Sequence, residues 1–513
     1  MTPWSKRPVL FVALLAAFFA AACNGGSGTA TIFVPPPPAG NFTNASLKGQ
    51  YAFSMSGREL CGGMGSFFAR IGSITADGNG NITGGVEDVN VCSGVLTLPF
   101  TGGSYSIQAD GRGTLSLTNS TGITNYSITL ASPAQGFLIQ TDSASTASGA
   151  LQRQDPAAFS VTQIAGGYVF DFSGISSALN PESIIGRFTA DGGGNVQDGL
   201  YDSNEAGTLS GQQVFPAGAF YQLDPSFAQS GRGTANFAGH NFTFYIVDGT
   251  RVKCLGTDFP AAYLGDALAQ QNMTFSAASL NGSFAFLIGG SSTTGPLATA
   301  GRFTADGVGN LTSTVLDENN YGVLTSLPTP GGTVTGSYTV DANGLGGGTA
   351  TWTDSNAGTF SFIFYLLSPA QAVFQETDTN ITSDGSLLAQ TPSPITSAAL
   401  AGNYAFVWSG VSNDEEDFTG QLKLTSASSS NASGTLDANE FATGKQFFNF
   451  PFAGTLALGS NPAGRISFTV TTNAPPTSPA SFNFAAYAVD ANTVFLVGAD
   501  TNRVIVGTNA RQP

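Results

Sequence analysis

The chain has 513 residues, only 10% of them charged, with 17 basic against 33 acidic side chains and a net charge of −16. That length is too great for one core and sets an expectation of about three to five domains. The sign of the charge and the lack of any basic cluster exclude nucleic acid as a partner, and the low charge density excludes an acidic disordered tail. Sixty-six Gly and 40 Phe among so few charges fit an exported, β-rich protein.

Residues 1–23 read as an export signal. Lys6 and Arg7 form a short basic stretch, and Val9 to Ala22 is an unbroken apolar run of 14 residues. A membrane span needs about 20. The run ends in Ala20-Ala21-Ala22-Cys23, which resembles the lipobox of bacterial lipoproteins, with Ala20 where that family usually has Leu. The resemblance implies that Cys23 is the lipid-bearing first residue of the mature chain. Asn24 implies outer-membrane sorting, with the body either periplasmic or surface-exposed. An ordinary secretory signal is the alternative. Residues 24–44 read as a tether, flexible at first and stiff from Pro35 to Pro38.

The rest of the chain repeats itself. Residues 72–81 read GSITADGNGN, 186–195 GRFTADGGGN and 301–310 GRFTADGVGN, so Asp77, Asp191 and Asp306 stand 114 and 115 residues apart. The alternation before each Asp predicts a strand. The turn itself is predicted at Asp77, Gly78, Gly80 and Asn81, at Asp191, Gly192, Gly194 and Asn195, and at Asp306, Gly307, Gly309 and Asn310. Gly supplies positive φ there, and Asn tolerates it. The fourth repeat has SASSSNASG in place of the Asp-Gly turn. Each repeat opens on an aromatic strand, such as Gly49-Gln50-Tyr51-Ala52-Phe53 or Gly402-Asn403-Tyr404-Ala405-Phe406, with one large apolar face for a core. Eleven residues after the turn Asp comes a second signal, Asp88/Asn90, Asp202/Asn204 and Asp317/Asn319, kept in the fourth repeat as Asp437/Asn439. The repeats are placed at 45–154, 155–271, 272–391 and 392–513.

Eight or nine short strands per repeat, joined by short turns, make a meander. A meander closes most simply into an up-and-down barrel. The expected fold is all-β, four tandem antiparallel barrels in a row, with β-sandwiches as the alternative. Gly49-Gln50-Tyr51 resembles the Gly-x-Trp of lipocalin-type barrels, and Thr141-Asp142, Thr257-Asp258 and Thr377-Asp378 resemble that family's Thr-Asp-Tyr, although the fourth repeat has Ala499-Asp500. That resemblance implies barrels able to hold a small apolar ligand. The units also look like those of tandem-repeat bacterial lipoproteins with no assigned activity. Against a carrier stands the aromatic bulk of the inward faces, which predicts mostly filled barrels.

Little chemistry is legible. His240 is the only histidine and is read as a solvated loop residue, which excludes imidazole zinc sites. Calcium candidates arise at Asp77, Asp191 and Asp306, because Asp88 follows Asp77 at the spacing of first and last ligands in a calcium loop. Against them, Ile82, Val196 and Leu311 occupy the position that needs Gly, and no metal is assigned. Cys61 and Cys92 fall in connections at one end of a meander barrel and are paired as a disulfide, leaving Cys254 buried or free. An enzyme would concentrate its acids and aromatics in one repeat, and here the repeated acids look evenly spread. The expected function is a lipid-anchored envelope protein, non-catalytic and without cofactor, acting by binding or as a spacer. An envelope protein or a glycan is the candidate partner. Carriage of small apolar ligands and a carbohydrate-active enzyme are the alternatives.

Overall fold

A computed structural model describes residues 40–391, 395–426, 431–458, 465–472 and 480–513. The signal, Cys23 and most of the tether lie outside the described residues, as does the centre of the fourth repeat's serine-rich turn.

The first repeat forms β1 (Lys48–Cys61), β2 (Met64–Asp77), β3 (Asn81–Val91), β4 (Gly94–Pro99), β5 (Gly102–Ile107), β6 (Arg112–Asn119), β7 (Gly122–Ser132), β8 (Gln135–Asp142) and β9 (Ser145–Arg153). Apart from β4 and β5, each strand pairs antiparallel with the next, and β9 returns to β1, with Phe53 opposite Leu151. β3 is long enough to pair with β4 along Val86–Val91 and with β5 at Asn81 and Ile82. β4 and β5 are therefore one bent stave, and the barrel has eight staves with no free edge. The second repeat has the same bent stave, Thr208–Val214 then Phe220–Leu223, and closes through a bridge from Asn195 to Phe220. In the third it is Val323–Leu327 then Val334–Val340; in the fourth, Lys445–Leu458 runs unbroken and the barrel closes fully.

Period-two alternation fills these barrels. In β1, Tyr51, Phe53 and Met55 point inward onto Phe68, Ile74, Leu115 and Tyr126. The third repeat packs Phe284, Phe286, Phe303, Trp352, Phe362 and Phe374 together, with the Phe286 and Trp352 rings stacked at 5.4 Å. In the second, the void left beside Tyr168, Phe188, Phe237 and Cys254 is only about 20 Å³. That is room for a water, not for a drug-sized ligand.

The outward-facing residues explain how the barrels assemble. Between the two aromatics of the opening strand stand Ala52, Val169, Ala285 and Ala405, small enough for two sheets to approach closely. Ala52 packs with Ile71 and Val86 against Tyr245, Val247 and Leu255 of the second barrel. Val169 and Ile185 meet Tyr365, Leu367 and Val373 of the third. Ala285, Ala300 and Val315 meet Tyr487, Val489 and Phe495 of the fourth. Ala405 then meets Ala131 and Phe137 of the first. The expected row is thus corrected: one kind of contact, used four times, brings the fourth barrel back onto the first and closes a ring.

Polar clasps repeat with the same order. Asn90 Nδ2 donates to the carbonyls of Gly256 and Ala261, Asn204 to Glu376 and Ile381, Asn319 to Gly498, Asp500 and Arg503, and Asn439 to Gln140, Asp142 and Ser145. The Asp two residues earlier accepts from a tyrosine of the next barrel, Tyr245 to Asp88, Tyr365 to Asp202 and Tyr487 to Asp317. Each repeat's last strand is followed by or ends near a glutamine whose Nε2 reaches into the next barrel: Gln154 to Ile246, Gln270 to Leu366, Gln390 to Ala488 and Gln512 to Leu130. The Asp-x-Asn signal is therefore the joint between repeats.

Candidate functional site: a chamber at the ring axis

Four cavities of about 470, 410, 220 and 400 Å³ are each lined by three of the four barrels. They share walls, at Ser173 and Gly174, at Phe67, at Gly289 and Gly290, and at Gln135 and Gln152. They are lobes of one space at the centre of the ring, open to solvent and walled largely by the outward faces of each barrel's first and last strands.

Strand register lets the four walls be compared residue by residue. One row crosses each barrel from seam to seam. In the first barrel it reads Thr129, Phe137, Ala150, Ser54, Ile71. In the third it reads Tyr365, Val373, Ser386, Leu287, Ala300, and in the fourth Tyr487, Phe495, Thr508, Val407, Thr419. The second barrel alone puts charge in the middle: Tyr245, Lys253, Asp266, Asp171, Ile185. This corrects the even spread read from the sequence. The acids at turns are spread evenly; on this row they are confined to one repeat.

Lys253 is almost fully buried, and its Nζ donates to Ser54 Oγ of the first barrel at 3.0 Å and to Asp266 Oδ1 at 3.4 Å. Arg251 Nε lies 3.5 Å from the other oxygen of Asp266. Burial pulls the Lys253 ammonium below its ordinary value, opposed by Asp266. Asp171 meets the carboxyl of Asp384 from the third barrel. Both are short of full burial, yet burial raises both, Asp171 the more because Asp384 adds a second negative charge. Two facing acceptors favour a proton between them, and the pair keeps one to higher pH than a lone Asp does. The hydroxyls of Ser173 and Ser183 steady Asp384.

A pH dependence follows. The folded pair keeps a proton that an unfolded Asp releases near pH 3.9, so above that pH the native state binds more protons than the unfolded state. Stability at this seam is therefore complete below about pH 4 and declines as pH rises towards the pair's folded value. We expect thermal melts between pH 4 and 8 to slope downward, and Asp384→Asn to flatten the slope. An unchanged slope in that variant would count against the shared proton.

The sequence-predicted residues lie elsewhere. Asp77 Oδ1 accepts from the backbone N–H of Asn79 at 2.6 Å and of Asn81 at 3.1 Å, while Oδ2 accepts from Asn81 Nδ2 at 2.7 Å. Asp191 and Asp306 repeat this with Asn195 and Asn310. These bonds, the Asn side chain first, hold all three carboxyls down to about 2. Their glycines adopt φ of 84° and 108° at Gly78 and Gly80, with Gly192, Gly194, Gly307 and Gly309 alike. Asp88, the last ligand in the calcium reading, is held instead by Arg232 and Tyr245 at a seam. Among the described residues no group of three or more His, Cys, Asp or Glu is placed to hold a metal ion.

The structure brings Cys61 and Cys92 together as a disulfide, with Cα atoms 6.2 Å apart. Cys254 is free and buried in the second barrel's core, where burial pushes its thiol well above the ordinary value. The reading of His240 as a solvated loop residue is corrected. It opens the strand His240–Asp248, lies half-buried with its ring edge-on to Tyr263 at 5.0 Å, and stands 3.7 Å from Asp258.

The fold defines the chain as a ring of four antiparallel β-barrels. No protein-family model matches it, and no curated protein matches it in sequence. Similar solved structures include isotype 1 transferrin binding protein B from serogroup B Neisseria meningitidis, at 10% identity and a TM-score of 0.21 over 73% of this chain and 84% of that one. A double mutant of transferrin binding protein B from Haemophilus parasuis is similar at 9% identity and a TM-score of 0.21, over 74% and 83%. Likeness at that level carries no argument about this chain's function.

Proposed function

We propose that this is a non-catalytic binding protein of the cell envelope, held to the outer membrane by lipid on Cys23, with its body in the periplasm or at the surface. The observation that carries the binding reading is the contrast between packed barrels and an open chamber. Packed interiors leave no room for an apolar cargo, whereas the space between the barrels has the volume of a ligand site. A spacer gains reach from barrels in a row, and a ring gives that reach up, so binding is favoured over spacing. The anchor rests on the apolar run and Ala20-Ala21-Ala22-Cys23; no described helix is long and apolar enough to cross a membrane. We expect Cys23→Ala to move the protein from the membrane fraction to the soluble fraction of the envelope. Unchanged fractionation would remove the anchor from the proposal.

A further inference from the structure

We propose that the chamber wall at Lys253 and Asp266, backed by Asp171, with Arg251, Ser54 and Gln152, is a binding site for a small neutral saccharide. The inference deepens the binding reading above and rests on it. The molecule contains its own control. Three barrels build the same row from neutral residues, Phe137, Ala150 and Ser54 in the first, and seat in the same ring. Burying a charge costs free energy that a neutral residue avoids. Ring assembly therefore does not require Lys253, Asp266 or Asp171.

The ligand class follows from what is already neutralised. Asp266 lies between two cations, Lys253 and Arg251, and Asp171 shares its charge with Asp384. Each of these charges already has a partner, so none is left over to hold a lone ion. What remains is neutral hydrogen-bonding capacity of both signs. Gln152 lines the lobe with its Oε1 buried and without a partner, an arrangement that is costly unless something donates to it. Arg251 lines the same space with N–H groups beyond its contact to Asp266, Lys253 lines it too, and Ser54 adds a hydroxyl. Sugar hydroxyls donate and accept at once and suit such a wall. Phe67 supplies an apolar face beside it, and the lobe, at about 470 Å³, lies in the range of small-ligand sites.

The test is calorimetric titration of the full mature chain with maltose, cellobiose and di-N-acetylchitobiose, beside glycylglycine and inorganic phosphate. We expect saturable uptake of at least one of the disaccharides at one per chain. It should weaken about ten-fold or more in Gln152→Leu and in the triple variant Lys253→Phe, Asp266→Ala, Asp171→Ser, which copies the first barrel's row. The melting curve of the triple variant should match or exceed that of the parent. If the triple variant does not fold, Gln152→Leu decides. Disaccharide binding at full strength in the folded variants would overturn the site. Uptake of only glycylglycine or phosphate, lost in the same variants, would overturn the saccharide and leave the chamber as a binding site. No uptake of any probe would overturn both.

Discussion

Asp88→Ala should destabilise the seam between the first two barrels by about 3–5 kcal/mol, the cost of stranding a buried charge. Asp88 is 1% exposed. Its two oxygens take Arg232 Nη2 and Nε, each at 2.8 Å, and Oδ2 also takes the Tyr245 hydroxyl at 2.7 Å. Removing the carboxylate leaves the guanidinium with Asp224 on one side and desolvated on the other. The third seam repeats the arrangement, with Arg465 and Tyr487 on Asp317. The second lacks it: Tyr365 still donates to Asp202, but Gly347 stands where the arginine would be. Asp202→Ala should therefore cost less, about 1–3 kcal/mol, since the Tyr365 hydroxyl and the Gln212 N–H are stranded but no charge is. Urea unfolding followed by circular dichroism, transition by transition, measures both. The double variant Asp88→Leu, Arg232→Met should recover much of the loss, because no charge is then stranded in the seam and Asp224, which loses its arginine, is part-exposed to solvent. Equal costs at Asp88 and Asp202 would refute the role given to Arg232.

Removing the disulfide should cost about 3–4 kcal/mol in the chain-entropy model for a closed loop of some 30 residues. Cys61 ends β1 and Cys92 follows β3, so the bond ties the tip of the β1–β2 hairpin to the next stave. The variant Cys61→Ser, Cys92→Ser should melt earlier than the parent, and a reductant should lower the parent's melting point but not the variant's. The native signal-free body should show no thiol reactive to a disulfide reagent, because Cys254 is buried and its thiolate disfavoured. A reactive thiol before unfolding, or a reductant-insensitive parent, would contradict the pairing.

Barrels were legible in the sequence and the ring was not, for a physical reason. Strand alternation and Asp-Gly turns are local: Tyr51, Phe53 and Met55 declare an inward face within five residues. Seam chemistry is spread along the chain. Asn90 stands out only as a recurring letter, and its acceptors at Gly256 and Ala261 lie more than 160 residues away. Ala52 and Ala405 looked like modest strand residues, yet their smallness is what lets barrels touch. The axial site was half visible. Aligning the repeats sets Lys253 against Phe137, Val373 and Phe495, an oddity a reader could have marked. That Asp266 and Asp171 stand beside it required the register of three strands, one of them about 80 residues earlier in the chain, which composition does not announce.

The contact between neighbouring barrels is heterologous: the face that carries Asn90 differs from the face that receives it. Such contacts generate either closed rings or open head-to-tail filaments, depending on whether the rotation per step closes. Closure here consumes the free head on the fourth repeat and the free tail on the first, so the protein needs no capping repeats of the kind that terminate solenoids. The closing seam is also the most divergent of the four. Thr129 replaces the tyrosine, and Arg112 bonds Asn449 rather than the carboxylate of Asp437. Were that seam to open, two complementary faces would be released on one molecule. Their natural mate would be a second opened copy, so this one joint stands between a closed ring and head-to-tail assembly.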